Sequence, residues 1–443
     1  MGRLFGTDGV RGVAGTELTS DLAFGLGRAA VFVLGRHGAG HPTFVVGRDP
    51  RVSGEWLEDA LVEGILTAGG DVVVAGVQPT PAIAFLTVDR AATSGVVISA
   101  SHNPAEYNGI KFFSSEGMKL SDSLEDEIEA ALGVPEGLAA DVHGARLPLG
   151  DGRERYIEHL VSSADAPLTG MNIVVDCANG AASAVTPDVL RRLGATVHPI
   201  FDDPETGEIN DGCGALHPDV VAAEVVRLGA DAGVAHDGDA DRALFSDARG
   251  NVIDGDQVLA ACALAFSKEG RLAKNTVVTT VMANIGFIRA MADAGIEVVA
   301  AKVGDRYVLE EMLRVGAVLG GEQSGHVIFR DQATTGDGLL TAVRFLSLAA
   351  AWGSSVGDLA ASMRRFPQAI VNVPVDDREA VEGAAPVREA VVEAERELGG
   401  SGRVLVRASG TEPLVRVMVE AETLDLARRH ADAIAEVVRT TLG

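Results

Sequence analysis

Aromatic residues and cysteine are scarce in this chain. Phe, Tyr and Trp make up only 4% of the 443 residues, so aliphatic side chains must fill most of the cores that a 47% hydrophobic content allows. The three cysteines, Cys177, Cys213 and Cys262, are far apart and have no metal-binding spacing. This usage favours reduced thiols and a cytoplasmic protein. No run of about 20 apolar residues is present, and we therefore expect no membrane-spanning helix.

Basic residues are also fewer than acidic ones. The chain has 37 Lys and Arg residues against 63 Asp and Glu, and its formal net charge is −26. Nucleic acids and anionic membranes attract basic surfaces, so we expect neither as a partner. Basic residues beside glycine-containing loops are therefore more informative here than they are in a basic protein.

One unit of a strand, a helix and two further strands recurs three times along the chain. The copies begin near Thr43, Met171 and Thr276, and in each copy the third strand ends in a polar loop. In the first copy the helix is predicted to run from Ser53, as its N-cap, to about Ala68. Three copies of a βαβ-type unit predict three similar α/β domains with mixed sheets, each presenting one loop.

The C-terminal part of the chain differs from these repeats. Strand-like runs alternate with two helical patterns, the second with Thr423 as its N-cap, which predicts a smaller α+β domain. Its hairpin tip lies at residues 408–413. The predicted domains span residues 1–152, 153–254, 255–365 and 366–443.

The first polar loop, Ser99-Ala-Ser-His-Asn-Pro104, follows the buried strand-like run from Ser94 to Ile98. Open α/β sheets place their ligands at the carboxyl ends of such strands. The loop is therefore expected to present the hydroxyl of Ser101 in a defined place. An ordinary Ser/Asn/Pro turn is the alternative interpretation.

The second loop contains three carboxylates, Asp237, Asp239 and Asp241. In an extended segment this spacing points all three side chains in the same direction. Converging carboxylates repel one another unless a cation lies between them, and hard oxygen donors suit Mg²⁺. The motif therefore predicts a magnesium site, with a solvent-exposed acidic turn as the alternative.

Two further loops carry polar side chains suited to a phosphorylated sugar. The third repeat ends in Glu322, Ser324 and His326, whose carboxylate, hydroxyl and imidazole suit vicinal sugar hydroxyls. The C-terminal hairpin tip combines a Ser/Gly/Thr turn with two arginines, which predicts a phosphate cradle of backbone N–H groups and guanidinium. Its residues are Arg407, Ser409, Gly410, Thr411 and Arg416. For both loops an ordinary turn is the alternative.

Taken together and in order, these motifs resemble those of the α-D-phosphohexomutases. The resemblance covers almost the whole chain and includes three further segments, Phe5 to Gly12, Asn108 to Phe113 and Lys302 to Tyr307. It implies four domains around a central cleft, in agreement with three repeats followed by a smaller domain. It also implies that Ser101 is carried as phosphoserine and that its phosphate joins the three aspartates around Mg²⁺.

The resemblance further implies roles for the remaining motif residues. Glu322, Ser324 and Lys302 are expected to contact the sugar, and the C-terminal hairpin tip is expected to bind the phosphate that is not transferred. The residues expected to line the transferred phosphate are Arg11, His102, Lys111, Arg242 and His326.

The implied activity is an isomerase that interconverts glucosamine 6-phosphate and glucosamine 1-phosphate through a sugar 1,6-bisphosphate. The same chemistry on glucose or mannose phosphates is the nearest alternative. A Mg²⁺-dependent phosphatase with Asp237 as nucleophile, and a sugar-phosphate binding protein without turnover, are alternatives of other classes. The expected partners are the phosphosugar and its bisphosphate, and a homodimer is one candidate for the oligomeric state.

Overall fold

The computed structural model of the chain describes residues 3–6, 8–37, 41–132, 143–409 and 413–443. The chain forms two compact units. The first consists of Met1–Met282 and Ile296–Ser362, and the second of Ala283–Gly295 and Met363–Gly443. Within the described ranges, no helix is both long enough and apolar enough to cross a membrane.

The first sheet of the first unit has six strands in the order β1-β5-β4-β2-β3-β6. Strand β2 pairs in parallel with β3 and β4, whereas β5 is antiparallel to both β4 and β1. The elements of this region are β1 (Val10–Val13), α1 (Ser20–His37), β2 (Thr43–Arg48), α2 (Val52–Thr67), β3 (Asp71–Val77), α3 (Thr80–Asp89), β4 (Ser94–Ile98), β5 (Tyr107–Phe113), α4 (Asp122–Leu132) and β6 (Arg146–Pro148).

Both faces of this sheet are buried, which explains the unbroken β-branched runs. Phe44 and Val46 of β2 pack with Leu61 of α2 on one face. Val45, the residue between them, packs with Ile83 of α3 on the opposite face. The strands therefore have apolar side chains at successive positions rather than at alternate ones.

The second sheet has five strands in the order β11-β10-β9-β7-β8, and the third has four in the order β13-β12-β14-β15. The second region comprises α5 (Gly152–Ser162), β7 (Asn172–Asp176), α6 (Thr186–Arg192), β8 (Thr196–Ile200), α7 (Pro218–Leu228), β9 (Ala232–His236), β10 (Ala243–Asp247) and β11 (Val252–Ile253). The third comprises α8 (Gly255–Lys268), β12 (Thr276–Thr280), α9 (Ile285–Asp293), β13 (Glu297–Ala301), α10 (Asp305–Val315), β14 (Leu319–Gly321), β15 (Val327–Phe329), α11 (Gly338–Trp352) and α12 (Val356–Ala360).

The three sheets share one arrangement, which confirms the predicted repeat. In each, the first strand of the repeat lies between the second and the third, and an antiparallel fourth strand pairs with the third. The three predicted polar loops therefore occupy equivalent places, between β4 and β5, between β9 and β10, and between β14 and β15. The mixed sheets of the predicted fold class are confirmed as well.

The second unit contains a three-stranded antiparallel sheet in the order β16-β18-β17. Besides α9, its elements are β16 (Gln368–Pro374), α13 (Ala385–Leu398), β17 (Arg403–Ala408), β18 (Leu414–Glu420) and α14 (Leu424–Leu442). Val415 and Val417 of β18 pack with Ala431 of α14 and Val387 of α13 in one apolar core. Thr423 is the N-cap of α14, as predicted, and its side chain accepts a hydrogen bond from Leu426 N.

The start of α2 differs from the prediction. The helix begins at Val52, and Arg51 occupies the N-cap position that was predicted for Ser53. The hydroxyl of Ser53 accepts a hydrogen bond from Asn108 Nδ2 at 2.9 Å instead. The residue numbers of the domain boundaries stay predictions.

Candidate active site

Two of the equivalent loops in the first unit meet at Ser101 and Asp237. Ser101 Oγ donates a hydrogen bond to Asp237 Oδ2 at 2.6 Å and lies 3.2 Å from His102 Nδ1. Ser101 is 2% exposed, and its φ of +52° is in the left-handed region. The loop after β4 therefore presents a buried hydroxyl, as the sequence predicted, to the acidic loop of the second sheet.

The three aspartates converge, but not in the way that the sequence predicted. Oxygen atoms of Asp237, Asp239 and Asp241 lie within 4.8 Å of one another. The segment is a turn rather than an extended strand, because Ala240 has φ +58° and its N–H bonds to Asp237 O at 3.0 Å. The prediction of an extended segment was wrong, and the turn brings the carboxylates together.

Some carboxylate oxygens of the three aspartates accept hydrogen bonds from the protein, and others do not. Asp237 accepts from Arg242 N at 3.2 Å on Oδ1 and from Ser101 on Oδ2. Asp239 Oδ2 accepts from Thr80 Oγ1 at 2.7 Å and from Lys111 Nζ at 3.0 Å. Asp239 Oδ1 and Asp241 Oδ1 are buried and have no hydrogen-bond partner among the described residues. Buried, unpartnered carboxylate oxygens of this kind fit a hard divalent cation.

The charges of this cluster are strongly perturbed. Burial, together with Asp241 and Asp239, raises the pKa of Asp237 well above its usual value. Burial also opposes ionisation of Asp241, but the contact with His326 and the nearby cations outweigh it and lower its pKa. Opposite pKa shifts of neighbouring carboxylates are what mutual repulsion between like charges produces, so the three aspartates are not electrostatically equivalent.

Four cationic side chains surround the aspartates. Lys111 Nζ lies 3.0 Å from Asp239 Oδ2, and Arg242 Nε lies 3.7 Å from Asp241 Oδ1. His326 Nδ1 lies 3.6 Å from Asp241 Oδ2. Arg11 pairs with Asp8, whose carboxylate is also 3.1 Å from Lys111 Nζ.

The pKa values of Lys111 and His326 are both raised. Burial disfavours the charge of Lys111, but Asp239 and Asp8 outweigh it and raise its pKa. For His326, burial is outweighed by Asp241 and Asp305, and its pKa rises to about 9. Both side chains therefore carry positive charge at neutral pH.

His102 has the opposite shift. Burial and the charges of Arg242 and Arg11 lower its pKa to about 4. Its imidazole is therefore neutral at pH 7, and it can exchange a proton with a group at hydrogen-bond distance. Ser101 Oγ lies at such a distance.

The three residues predicted in the loop between β14 and β15 have different surroundings from one another. Glu322 Oε1 accepts from Gly304 N at 3.1 Å, which ties this loop to the segment containing Lys302. Ser324 Oγ is buried and has no hydrogen-bond partner within the described ranges. His326 is in the aspartate cluster, whereas Lys302 is exposed, with its ammonium 6.0 Å from the Tyr307 ring centre.

The predicted phosphate cradle lies in the second unit. Arg407 of β17 and Arg416 of β18 are directly opposite each other in the register. Burial and the charge of Arg416 lower the pKa of Arg407. Ser409 is buried and its N–H bonds to Leu414 O at 2.9 Å. The predicted residues Gly410 and Thr411 lie outside the described residues.

Several residues of the cluster were not singled out from the sequence. Thr80, the first residue of α3, contacts Asp239 with both its hydroxyl and its backbone N–H. Lys119 pairs with both Asp8 and Asp305, which joins the first sheet region to the third. Asp8 lies in a motif that the sequence singled out, but a threonine at a helix start gives no local signal for metal chemistry.

Comparison with known proteins agrees with this arrangement. Four phosphoglucomutase/phosphomannomutase domain families match the chain: alpha/beta/alpha domain I at residues 2–134, domain II at 154–250, domain III at 254–366 and the C-terminal domain at 370–437. The phosphoglucosamine mutase of Streptomyces griseus is 52% identical over 452 residues, which cover 100% of both chains.

Two solved structures have the same fold. A phosphoglucomutase/phosphomannomutase family protein from Burkholderia thailandensis has a TM-score of 0.83 and 26% identity, covering 99% of this chain and 97% of the other. N-acetylphosphoglucosamine mutase from Aspergillus fumigatus, in complex with GlcNAc-6P and magnesium, has a TM-score of 0.68 and 17% identity, covering 99% and 96%. The chain therefore belongs to the phosphoglucomutase/phosphomannomutase family.

Proposed function

We propose that this chain interconverts glucosamine 6-phosphate and glucosamine 1-phosphate, with Ser101 carrying the transferred phosphoryl group. The observation that carries the proposal is the 2.6 Å contact of Ser101 Oγ with Asp237, beside two buried carboxylate oxygens that have no partner within the described residues. The sugar specificity is supported by relatives such as the phosphoglucosamine mutase of Streptomyces griseus, which is 52% identical over the full length.

The reaction consists of two phosphoryl transfers. In the first, the bond between Ser101 Oγ and phosphorus breaks and a bond from phosphorus to sugar O1 forms, which gives the 1,6-bisphosphate. The proton lost by the O1 hydroxyl ends on Ser101 Oγ. In the second, Ser101 takes the phosphoryl group from O6 and returns the proton to O6. No net proton is consumed, and the neutral His102 imidazole, 3.2 Å from Oγ, is placed to relay it.

The aspartates of the second loop would hold Mg²⁺. Their oxygen donors suit this ion, which supplies positive charge next to the phosphoryl oxygens when it is bound. The protein's own part is to keep the donors in place. Thr80 and Lys111 engage Asp239 Oδ2 and leave Oδ1 for the ion.

The cations around the aspartates would stabilise the transferred group. Phosphoryl transfer depends mainly on positioning and on neutralisation of the charge that spreads over the phosphoryl oxygens. Lys111 and His326 carry positive charge because of raised pKa values, and Arg242 is adjacent to Asp237 and Asp241. We assign Arg11 to the same role, because it lies beside Asp8 and Lys111.

The sugar and its second phosphate would be bound by other loops. We assign Glu322, Ser324 and Lys302 to the sugar, because Glu322 joins the two segments that contain them. In the second unit, two arginines lie directly opposite each other beside the buried Ser409, and paired guanidinium groups suit a phosphate. We therefore assign Arg407, Ser409, Gly410, Thr411 and Arg416 to the phosphate that is not transferred.

A phosphatase that uses Asp237 as its nucleophile is the less favoured alternative. Both oxygens of Asp237 accept hydrogen bonds, from Arg242 N and from Ser101 Oγ. Nucleophilic attack by either oxygen would therefore compete with one of these hydrogen bonds. Mutases for glucose or mannose phosphates use the same chemistry, and only the sugar specificity separates them from the proposed activity.

The test is an isomerisation assay combined with the intact mass of the purified chain. We expect conversion of glucosamine 1-phosphate with Mg²⁺ and a trace of sugar 1,6-bisphosphate, and a mass increase corresponding to one phosphate on the active form. Rates with glucose and mannose phosphates decide the specificity. Release of inorganic phosphate in place of the isomer would favour the phosphatase, and ligand binding without turnover would favour a binding protein.

A further inference from the structure

Arg51 is buried beneath the loop that carries Ser101. It occupies the N-cap position of α2, but its side chain makes no capping bond. The side chain is 0% exposed and pairs with Asp49, also 0% exposed, at 2.9 Å from Nε to Oδ2. A buried guanidinium is stable only where its N–H groups find acceptors, so its partners indicate its role.

Three of the other four N–H groups of Arg51 are directed at carbonyl groups of the Ser101 loop, and the fourth is directed at the carbonyl of Tyr107, the first residue of β5. Nη2 donates to the carbonyl oxygens of Ser101 at 2.9 Å and Asn103 at 2.8 Å. Nη1 donates to those of Pro104 at 2.5 Å and Tyr107 at 3.1 Å. A guanidinium has five N–H donors in a planar fork, and with Asp49 all five are used.

Asp49 holds the same loop from its other side. Ser99 Oγ donates to Asp49 Oδ2 at 2.6 Å and accepts from Ser101 N at 2.9 Å. The N–H of Ser101 is therefore held through Ser99, and its carbonyl is held by Arg51. Asn210 Nδ2, from the second sheet region, adds a bond to the same carbonyl at 2.9 Å.

These contacts hold Ser101 in an unfavourable backbone conformation. The φ of +52° at Ser101 is one that residues with a side chain rarely adopt, and it persists only where the surroundings impose it. The direction of Oγ depends on this conformation. In an oriented reaction, a misplacement of about 1 Å can lower the rate about 100-fold.

We propose that Arg51, held by Asp49, is a positioning residue that keeps Ser101 in its left-handed conformation, with Oγ toward the three aspartates. This inference rests on the proposed function, because the position of Oγ matters only if Ser101 carries the phosphoryl group. An arginine that served the fold alone has no reason to direct three of its five donors at the reacting loop and a fourth at the first residue after it.

Arg51→Lys tests the inference, because lysine keeps the charge but its ammonium cannot replace a fork that spans four carbonyl groups. We expect kcat for isomerisation to fall about 100-fold, with KM for glucosamine 1-phosphate and the Kd of Mg²⁺ close to their wild-type values. Arg48→Lys is the matched control, because Arg48 ends β2 and pairs with Glu55 and Glu58 of α2. We expect wild-type kcat in that control.

A second readout separates positioning from a role in the fold alone. The ³¹P NMR signal of phosphorylated Ser101 should shift or broaden in Arg51→Lys, while circular dichroism and the melting temperature report a folded protein. If Arg51→Lys does not fold, Ser99→Ala decides, because it removes only the hydroxyl that joins Asp49 to Ser101 N. We expect a lower kcat at unchanged KM there too.

Wild-type kcat in a folded Arg51→Lys, or in Ser99→Ala when that variant decides, overturns the inference. A loss of kcat that only follows the unfolded fraction overturns it as well. Failure of the proposed function has a different signature, since the wild-type protein itself would then not isomerise the sugar phosphate.

Discussion

Ser101 Oγ and Asp237 Oδ2 are 2.6 Å apart, although 136 residues separate them in the chain. The contact joins the loops of two repeats, and it puts the hydroxyl that we propose to be phosphorylated against the acidic cluster. A phosphoserine there adds nearly two negative charges beside three carboxylates. The surrounding lysine, arginine and histidine side chains and a bound cation must offset this charge, which makes the phosphorylated state depend on each of them.

Ser101→Ala should keep the fold and lose nearly all isomerase activity. A hydroxyl contributes little to packing, but in the proposed mechanism Ser101 Oγ carries the phosphoryl group. Activity with glucosamine 1-phosphate should be absent with and without sugar 1,6-bisphosphate. In contrast, dephosphorylated wild-type protein should be inactive until the bisphosphate is added. Ser123→Ala, at an exposed serine of α4, is the control and should behave as wild type. Substantial turnover by a Ser101→Ala sample shown by mass to be free of wild type would contradict the mechanism.

Asp239→Asn should weaken Mg²⁺ binding and lower activity. The change removes a charge from a buried cluster and places an amide N–H₂ where a carboxylate oxygen faces its neighbours. Removing one outer-shell contact of a metal typically costs about 10- to 100-fold in affinity, and losing a ligand charge should cost at least as much. Calorimetric titration with Mg²⁺ measures the Kd. The control is Asp59→Asn, whose side chain is 75% exposed. An unchanged Kd in Asp239→Asn would show that the ion binds elsewhere.

Thr80 should affect the affinity for Mg²⁺ although we do not expect it to be a ligand of the ion. Its hydroxyl donates to Asp239 Oδ2 at 2.7 Å and turns the other oxygen toward the cluster. Thr80→Val keeps the shape but removes this donor, and we expect the Kd of Mg²⁺ to rise about 10-fold or more. Thr80→Ser restores a hydroxyl and should restore most of the affinity. Equal Mg²⁺ affinity in Thr80→Val and in the wild type would assign Thr80 to the fold alone.

The repeats and the loops that form the site could be predicted from the sequence. The first strand of each repeat contains a β-branched run, each repeat has the same order, and the chemistry-bearing residues follow the third strand in every copy. This is why Ser101 and the three aspartates were recognised before their distances were known. The local periodicity failed at residues 237–241, because Ala240 adopts φ +58° and closes a turn where alternation predicted an extended strand.

The residues that hold the site in place could not be predicted. Thr80 and Asp239 are 159 positions apart, and Asn210 and Ser101 are 109 apart. Nothing in the local pattern of either segment identifies the other as its partner. Arg51 was not identified either. The preference for serine at helix N-caps indicated Ser53, whereas Arg51 occupies the N-cap position of α2. Long-range contacts of this kind depend on how the sheets pack, which local propensity does not determine.

Asp337 should make the stability of the first unit depend on pH. Its Oδ1 caps α11 by accepting from Leu339 N and Leu340 N at 2.9 Å, and its Oδ2 accepts from Tyr156 Oη at 2.8 Å. Burial outweighs these bonds and raises its pKa to about 6. Because this is above the unfolded value of about 3.9, the folded state binds more protons between these values, and stability falls as pH rises through them.

Asp337→Asn removes this titration and keeps an acceptor for the cap. Relative to the variant, the wild type should lose about 1–2 kcal/mol of stability between about pH 5 and pH 8. Scanning calorimetry of both proteins measures this as a melting temperature that shifts in favour of the variant by roughly 1–3 °C. A difference in melting temperature that is independent of pH would contradict the raised pKa.

Arg407→Ala should weaken substrate binding without removing phosphate from Ser101. If Arg407 and Arg416 hold the phosphate that is not transferred, the loss of one guanidinium should raise KM for glucosamine 1-phosphate. Truncating one partner of a desolvated charge pair typically costs about 2–5 kcal/mol, so we expect KM to rise at least tenfold. Arg428→Ala, at an exposed arginine of α14, is the control with the same change of net charge.

Thermal stability gives a second test of the same pair. The two arginines face each other directly in the β17–β18 register, and like charges in that position destabilise a sheet. Without ligand, Arg407→Ala should therefore melt at the wild-type temperature or above it. Glucosamine 6-phosphate should raise the melting temperature of the wild type and of Arg428→Ala. It should raise that of Arg407→Ala less, because stabilisation by a ligand grows with the logarithm of 1 + [L]/Kd and is smaller when Kd is higher. Equal shifts together with an unchanged KM would show that the hairpin tip does not bind the phosphate.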